Sequence, residues 1–508
     1  MTDAAAFGGR REAAERAAHA RRAEPASVLE CHACGWRPPA SEPHPFRCAR
    51  ADSGDGADHV LVRRVDARAA RFDHADAAHP FVRHREMLHA YWRARAGGLP
   101  DAWFAETVAR LDRAVASVAG VGFRPTPLRF EEMLSERLGF SGRGGVWVKD
   151  ETANVSGSHK ARHLFGLALH LEVSEALGLV TREENDRRGL AIASCGNAAL
   201  AAAVVARACG RPIEVFVPPD AHPAVIERLG ELGARMTVCR RAAGVPGDPC
   251  VRRFRDAVRA GAIPFCVQGP ENGLALEGGQ TLGWELAAQL DERGVHPDRI
   301  LIQVGGGAFA ASCAAGLAEA VEHGALEGEP RLHAVQTEGC WPLRRAWLAL
   351  HARAARAETV PPGAATDFDL GPEPYGSESW EAEEALARER DAARDARRAA
   401  ALDAARRDRA AFMRPWDEVP HSAAHGILDD ETYDFVPVTA AMLRTRGYPL
   451  VVNEAQIAMA WSLVRETTHV RADATGTAGV AGLLALRAAG VLGVEERVVV
   501  VLSGAERG

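Results

Sequence analysis

The stretch Val146-Trp-Val-Lys-Asp-Glu-Thr-Ala-Asn-Val-Ser-Gly-Ser-His-Lys-Ala-Arg-His-Leu164 decides the fold. Val146 to Val148 read as an apolar strand that breaks into a turn of Asn, Ser and Gly. Leu164, Leu167, Ala168 and Leu171 then recur at helical spacing. Lys160 falls where that helix begins, beside unpaired backbone N–H groups and the positive end of the helix dipole. Such a setting disfavours an ammonium and favours the neutral amine, the form that attacks a carbonyl to make a Schiff base. Taken alone, a lysine in this position is more often an ordinary surface residue. The stretches around it decide otherwise.

Working outward, short apolar runs keep alternating with amphipathic ones. Leu190 to Ala193 reads as a strand ending in Ser194-Cys-Gly-Asn197, with an alanine-rich helix from Ala198. Ile213 to Val217 is another strand, then comes a helix from Pro223 to Leu232 and a strand from Arg235 to Val238. A second series holds a helix within Asn272 to Leu290, a strand Arg299 to Val304 that runs into Gly305-Gly-Gly-Ala308, and a strand at His333 to Gln336. The last strand, Glu496 to Leu502, ends in Ser503-Gly504. This alternation predicts an α/β fold with parallel, doubly wound sheets. Residues 188–267 are read as a small α/β domain. Residues 66–187 and 268–508 are read as a large domain, interrupted at about 347–413 by an exposed helical excursion rich in Ala, Arg, Glu and Asp, with a loop between Pro361 and Gly376.

The length of 508 residues is too great for one simple core, and 47% hydrophobic with 25% charged residues describes an ordinary globular protein. A net charge of -7 supplies no basic field for nucleic acid and no anchor for an anionic membrane. No apolar run approaches the roughly 20 residues that span a bilayer. Met1 to Pro25 lacks the apolar core and small-residue cleavage site of a secretion peptide, and Asp3, Glu12 and Glu15 interrupt a transit pattern. The ten cysteines are scattered, as reduced thiols are, so a cytoplasmic protein is expected.

Residues 1–65 are read as a solvated, partly helical arm followed by a knuckle. Cys31-His-Ala-Cys34-Gly forms the tight turn that brings two thiolates to one metal, with Cys48 as a third ligand and His44 or His59 as a fourth. No second Cys-x-x-Cys follows, so zinc stands beside a metal-free knuckle as an alternative. Its flanks lack the Lys/Arg and aromatic cluster that nucleic acid requires.

In an open parallel sheet, ligands bind beyond the carboxyl ends of the strands. Lys160, Ser194 to Asn197, Gly305 to Ala308 and Ser503 all share that placement. The Gly305-Gly306-Gly307 loop and Ala308 open a helix whose free N–H groups suit a phosphate monoester, without the Gly-Lys-Ser/Thr of a P-loop or the spaced glycines of a dinucleotide fingerprint. Together the elements ask for one ligand with a phosphate, an aldehyde and a polar ring. Pyridoxal phosphate has all three, with Asn197 at the ring hydroxyl and Ser503 at the pyridine nitrogen. A serine there leaves the nitrogen largely unprotonated, which favours β-elimination and replacement over transamination.

The chain resembles the fold-type II pyridoxal-phosphate enzymes, the tryptophan-synthase-β family, and within it the threonine synthases, serine/threonine ammonia-lyases and diaminopropionate ammonia-lyases. The carriers are Pro125-Thr-Pro-Leu128, Lys149-Asp-Glu151, Ser156-Gly-Ser-His-Lys160, Ser194-Cys-Gly-Asn197, Glu277 to Glu285, Gly305-Gly-Gly307, Asp473-Ala-Thr-Gly-Thr-Ala-Gly479 and Leu502-Ser-Gly504. The resemblance implies that Lys160 is the Schiff-base lysine. It implies that Ser156, Ser158, Ser194 and Gly196 meet the substrate, and that a small domain closes over it in a homodimer. His159 stands where most relatives carry Phe, and packing beside the cofactor is the preferred reading. Ala161-Arg-His163 and the loop after Ser194 depart from the threonine-synthase pattern, which weakens the case for a phosphorylated homoserine. The knuckle and Ser422 to Ile427 are closer to threonine synthases. The expected activity is therefore elimination or replacement at the β-carbon of an amino acid. Threonine synthase is the alternative, and a non-catalytic pyridoxal-phosphate-binding regulator stands as a further one. Two more readings concern Met413 to Tyr433: His421 and His425 are spaced so that a helix would place both on one face, with a substrate-facing loop or a packed helix start preferred over a metal site, and Asp429-Asp-Glu431 are read as helix N-terminal acids.

Overall fold

Twelve strands build three sheets in a computed structural model that describes residues 26–242, 245, 247–356, 377–388 and 391–506. The arm before Ala26 and the loop between Pro361 and Gly376 lie outside the described residues. Strands β1 (Ser27–Cys31) and β2 (Leu61–Val65) pair antiparallel as a small ribbon that carries the cysteine knuckle. The strands β3 (Leu128–Phe130), β4 (Gly145–Asp150), β9 (Arg299–Gln303), β10 (Arg331–Thr337), β11 (Leu450–Val452) and β12 (Arg497–Leu502) form a six-stranded sheet in the order β11-β10-β9-β12-β4-β3. Only the edge pair β3–β4 is antiparallel. The remaining strands, β5 (Leu190–Ala193), β6 (Ile213–Val217), β7 (Arg235–Val238) and β8 (Ile263–Pro264), form a parallel sheet in the order β7-β6-β5-β8.

The central strands are covered on both faces, which is why β9 and β12 read as unbroken apolar runs rather than alternating ones. Helix Lys160–Ala176 packs against helix Leu274–Glu292, which packs against helix Ala308–Glu322. Small residues set those spacings. A Cβ on Gly278 would lie 2.3 Å from the Arg162 carbonyl oxygen, and one on Gly283 would lie 2.5 Å from that of Cys313. The backbones therefore touch only because no side chain intervenes.

A buried charge cluster fixes the start of the Lys160 helix. Arg162 is fully buried and donates to Glu151 at 2.8 Å and to Glu285 at 3.1 Å. Lys149 Nζ donates to the other Glu285 oxygen at 2.5 Å and to the Thr126 carbonyl at 2.7 Å. Thr126 N–H donates to Glu285 at 2.7 Å, and Asn154 donates to Glu151 at 2.8 Å. Burial alone would raise the Glu285 carboxyl, but Arg162 and Lys149 hold it down at about 2. Paired this fully, the charges are tolerated in an apolar interior.

The segment of residues 347–413 corrects the sequence reading in one respect. It is helical where described, with helices Pro342–Arg356, Ser377–Arg388 and Ala392–Arg407, but it is not simply exposed. Trp380, Ala401, Leu402 and Ala405 are buried, and Glu384 reaches Arg299 at 3.1 Å and Arg331 at 2.6 Å at the edge of the large sheet. Its few large apolar residues and its carboxylates share the docking face, so composition understates the contact. Among the described residues, no helix is long and apolar enough to cross a membrane.

Replacing Arg162 by Met strands Glu151 beside a half-neutralised Glu285. We expect unfolding to cost about 3–5 kcal/mol less than in wild type at pH 8. The deficit should shrink toward pH 5 as the stranded carboxyls take up protons. Denaturant unfolding at the two pH values checks this, and a variant as stable as wild type at pH 8 contradicts it.

Candidate functional site

The carboxyl ends of four strands open on one cavity of about 250 Å³. Strand β4 leads to Lys160, β5 to Ser194, Gly196 and Asn197, β9 to Gly305, Gly306, Gly307 and Ala308, and β12 to Ser503; all of these residues line the cavity. Ser156 and Ser158 are not part of that lining. Ser156 takes a left-handed backbone (φ 59°) in the turn ahead of Lys160, and Ser158 Oγ is buried without a protein partner.

Lys160 is the first residue of its helix. Burial pushes its pKa below the ordinary lysine value, while the carboxylates of Asp429 and Asp434 pull it back up. A lowered lysine pKa at a helix N-terminus favours the amine form that attacks a carbonyl. Beside it, the His159 ring stacks on Phe309, with centroids 3.8 Å apart and planes 14° from parallel. His159 Nδ1 lies 2.5 Å from Ser503 Oγ, and that oxygen also accepts the His159 backbone N–H at 3.1 Å. Burial, reinforced by Lys160, keeps this imidazole well below its usual pKa and therefore neutral. The residue packs like an aromatic, as its position suggests, and in addition orients the Ser503 hydroxyl, which sequence reasoning missed.

Gly305 and Gly307 admit nothing larger than glycine. A Cβ on Gly305 would lie 2.3 Å from Asp429 Oδ2 and 2.8 Å from Ile427 Cα, and Gly307 adopts a left-handed φ of 96°. Ala308 starts helix Ala308–Glu322, so the loop lines the cavity at a helix N-terminus, where an anion is favoured. Thr432 Oγ1 donates to the Gly305 carbonyl at 2.9 Å and Asp434 N–H to that of Gly306 at 2.9 Å, which lays residues 429–434 along the loop as a strap.

That strap carries the group sequence reasoning did not find. The acids of Asp429-Asp-Glu431 are not at a helix start, since the next helix, Phe435–Thr445, begins later. Asp429 turns into the cavity, Asp430 pairs with Arg241 at 3.1 Å, and Glu431 accepts from Arg409 at 3.1 Å. Burial pushes the Asp429 carboxyl up to about 6, against the pull of Lys160 and the Gly306 amide. Asp434, which accepts the Gly269 N–H at 3.1 Å, is raised by burial to about 7. No local pattern announces such contacts, because the glycine loop lies more than a hundred residues earlier in the chain. His421 and His425 do not share a helical face either: only His425–Ile427 makes a short turn, with His425 on the cavity and His421 exposed.

The residues present fit pyridoxal phosphate. The loop and helix N-terminus suit its phosphate, Lys160 its aldehyde, and the buried Asn197 Oδ1 and His159 Nε2, which have no protein hydrogen-bond partner, leave polar atoms for a ligand to satisfy. Sequence comparison agrees. The chain belongs to the pyridoxal-phosphate dependent enzymes, whose family model matches residues 121–412. It is 27% identical over 278 residues to a threonine synthase of Methanosarcina acetivorans, covering 54% of this chain and 61% of that protein. It is 30% identical over 199 residues to a serine dehydratase-like protein of Mus musculus, covering 39% and 53%. The chain thus spans between a half and two thirds of the length of these curated relatives. Its fold is shared with the processed form of threonine deaminase isoform 2 from Solanum lycopersicum, at a TM-score of 0.51 and 17% identity over 81% of this chain and 91% of that one.

An ionised Asp429 beside the glycine loop opposes a phosphate there. We expect wild type and Asp429→Asn to bind pyridoxal phosphate alike below pH 6. Wild type should then fall behind the variant, by on the order of tenfold, between pH 6 and 8 as Asp429 loses its proton. Absorbance titration across pH checks this, and a ratio independent of pH contradicts it.

Proposed function

We propose that this chain is a lyase of its family, acting on an amino acid with a β leaving group and either releasing a keto acid and ammonia or replacing the substituent. The observation that carries this reading is the charge of the cavity. Among its described lining residues Lys160 is the only lysine or arginine, whereas Asp248 and Asp429 supply carboxylates. A phosphorylated substrate asks for cationic side chains beyond the one committed to the cofactor, and the lining offers none.

When bound, pyridoxal phosphate supplies an electron sink conjugated to the substrate amino group. The protein does the rest. The glycine loop and its helix N-terminus would hold the phosphate, and Lys160 would anchor the cofactor through its aldehyde. Lys160 Nζ, its pKa lowered by burial, would take the substrate α-proton. Ser503, held by His159, would be the neutral partner of the ring nitrogen. The Ser194, Gly196 and Asn197 segment, at the start of helix Asn197–Ala208, receives the substrate carboxylate. Closure of the small sheet's domain and assembly as a homodimer belong to this reading by analogy with the family.

Threonine synthesis is a second reading, favoured by the methanogen relative and by the cysteine knuckle. The reagents distinguish the two. With a panel of hydroxy- and amino-substituted amino acids and with phosphohomoserine, we expect keto acid and ammonia from at least one of the former and no phosphate from the latter. Lys160→Ala should lower kcat/KM by on the order of 10³-fold or more. Phosphate release with threonine formation would establish the second reading instead. Cofactor binding without turnover of any substrate would leave only a regulator.

A further inference from the structure

The N-terminal knuckle brings four ligand atoms together. One atom each from Cys31, Cys34, Cys48 and His59 lies within 4.8 Å of the others. Cys34 Sγ and Cys48 Sγ are 3.6 Å apart, and Cys31 Sγ and His59 Nδ1 are 3.4 Å apart. A tetrahedral zinc site with Zn–S bonds of about 2.3 Å has edges of about 3.8 Å, so these separations are those of a zinc tetrad. They are also well beyond the roughly 2.05 Å of a disulfide. The outer face of the site is finished as well: His59 Nε2 is 3.1 Å from the Asp55 carboxylate, the usual partner that orients a metal-binding imidazole. His44, the other candidate in the sequence, is committed elsewhere, 2.7 Å from Asn185 Oδ1.

From this tetrad a continuous set of contacts runs to the glycine loop. Asp58, next to His59, is buried and accepts from Arg409 at 2.8 Å. Its backbone N–H donates to the Arg406 carbonyl at 2.8 Å, and Arg409 N–H donates to that of Gly56 at 2.8 Å. The Arg409 guanidinium also donates to the Tyr433 carbonyl at 3.0 Å and to Glu431 at 3.1 Å. Tyr433 and Glu431 flank Thr432, whose hydroxyl donates to the Gly305 carbonyl. One guanidinium therefore joins the knuckle to the strap that lies on the cofactor loop.

We propose that Cys31, Cys34, Cys48 and His59 bind one zinc ion, and that this metal, by fixing the 55–59 loop, holds Asp58 as the anchor through which Arg409 presses the 429–434 strap onto Gly305 and Gly306. Metal occupancy then sets cofactor affinity. The coupling rests on the reading that this loop holds the cofactor phosphate; the metal site does not. The ligands are neutral imidazole and thiolates, so binding displaces the thiol protons to solvent.

The test uses the full chain and reads two quantities, zinc per chain by elemental mass spectrometry and the Kd for pyridoxal phosphate by absorbance titration. We expect close to one zinc per chain in wild type. Chelation or Cys34→Ser should remove it and weaken cofactor binding about tenfold, with zinc restoring the chelated protein. Arg409→Met should keep the zinc and weaken cofactor binding by a similar factor, which separates the brace from any general unfolding of the knuckle. No stoichiometric zinc, even after zinc is added, overturns the metal site. Zinc bound with an unchanged Kd on chelation or in Arg409→Met overturns the coupling. A zinc-loaded wild type that binds no pyridoxal phosphate overturns the functional reading and the coupling with it, while the metal site stands.

Discussion

The position of Lys160 depends on a buried guanidinium two residues further along. Arg162 has no access to water and meets Glu151 and Glu285 directly, while Lys149 completes the pairing on the far side of Glu285. Four pieces of chain are tied by this cluster: the proline-bounded entry at Thr126, the end of β4, the start of the lysine helix and the middle of helix Leu274–Glu292. Removing one charge leaves its partners buried and unpaired, a far greater loss than any exposed ion pair carries. The cost of desolvating four ionised groups is offset only in this one geometry, so the cluster acts as a registration pin for the turn that presents Lys160.

The cavity follows from that registration together with the close packing of three helices. Glycines at 278 and 283 let helix Leu274–Glu292 touch the Lys160 helix and the Ala308 helix backbone to backbone. The loop at Gly305 and the lysine then line one cavity. Hydroxyl and imidazole groups close the space, and the strap from Asp429 to Asp434 is laid over the loop by its own hydrogen bonds. Two carboxyls with raised pKa values near a lysine with a lowered one form a perturbed cluster of the kind in which functional sites are rich.

Much of this was readable from residues in a row. The strand–turn–helix at Lys160, the glycine run after β9 and the serine after β12 each carry their meaning locally, through period and turn chemistry, and the parallel α/β class follows from their alternation. What was not readable depends on partners distant in sequence. Arg162 drew no attention of its own in the sequence, where only its neighbours Ala161 and His163 departed from the family pattern, and it proved to be the centre of a buried cluster. Asp429 looked like a helix-capping acid and lies in the cavity, because its surroundings come from β9 rather than from its own segment. The helices between Pro342 and Arg407 read as exposed from their alanine and arginine content, yet Glu384 pairs with Arg299 and Arg331 at the sheet edge. Choosing His59 over His44 at the knuckle likewise required knowing what each imidazole touches.

The central claim is that Lys160 carries the cofactor. Incubating the protein with pyridoxal phosphate, reducing with borohydride and mapping the modified peptide by mass spectrometry tests it directly. The account predicts a single phosphopyridoxyl adduct on the peptide containing Lys160. A label on another lysine, or none above that on the denatured chain, would contradict it.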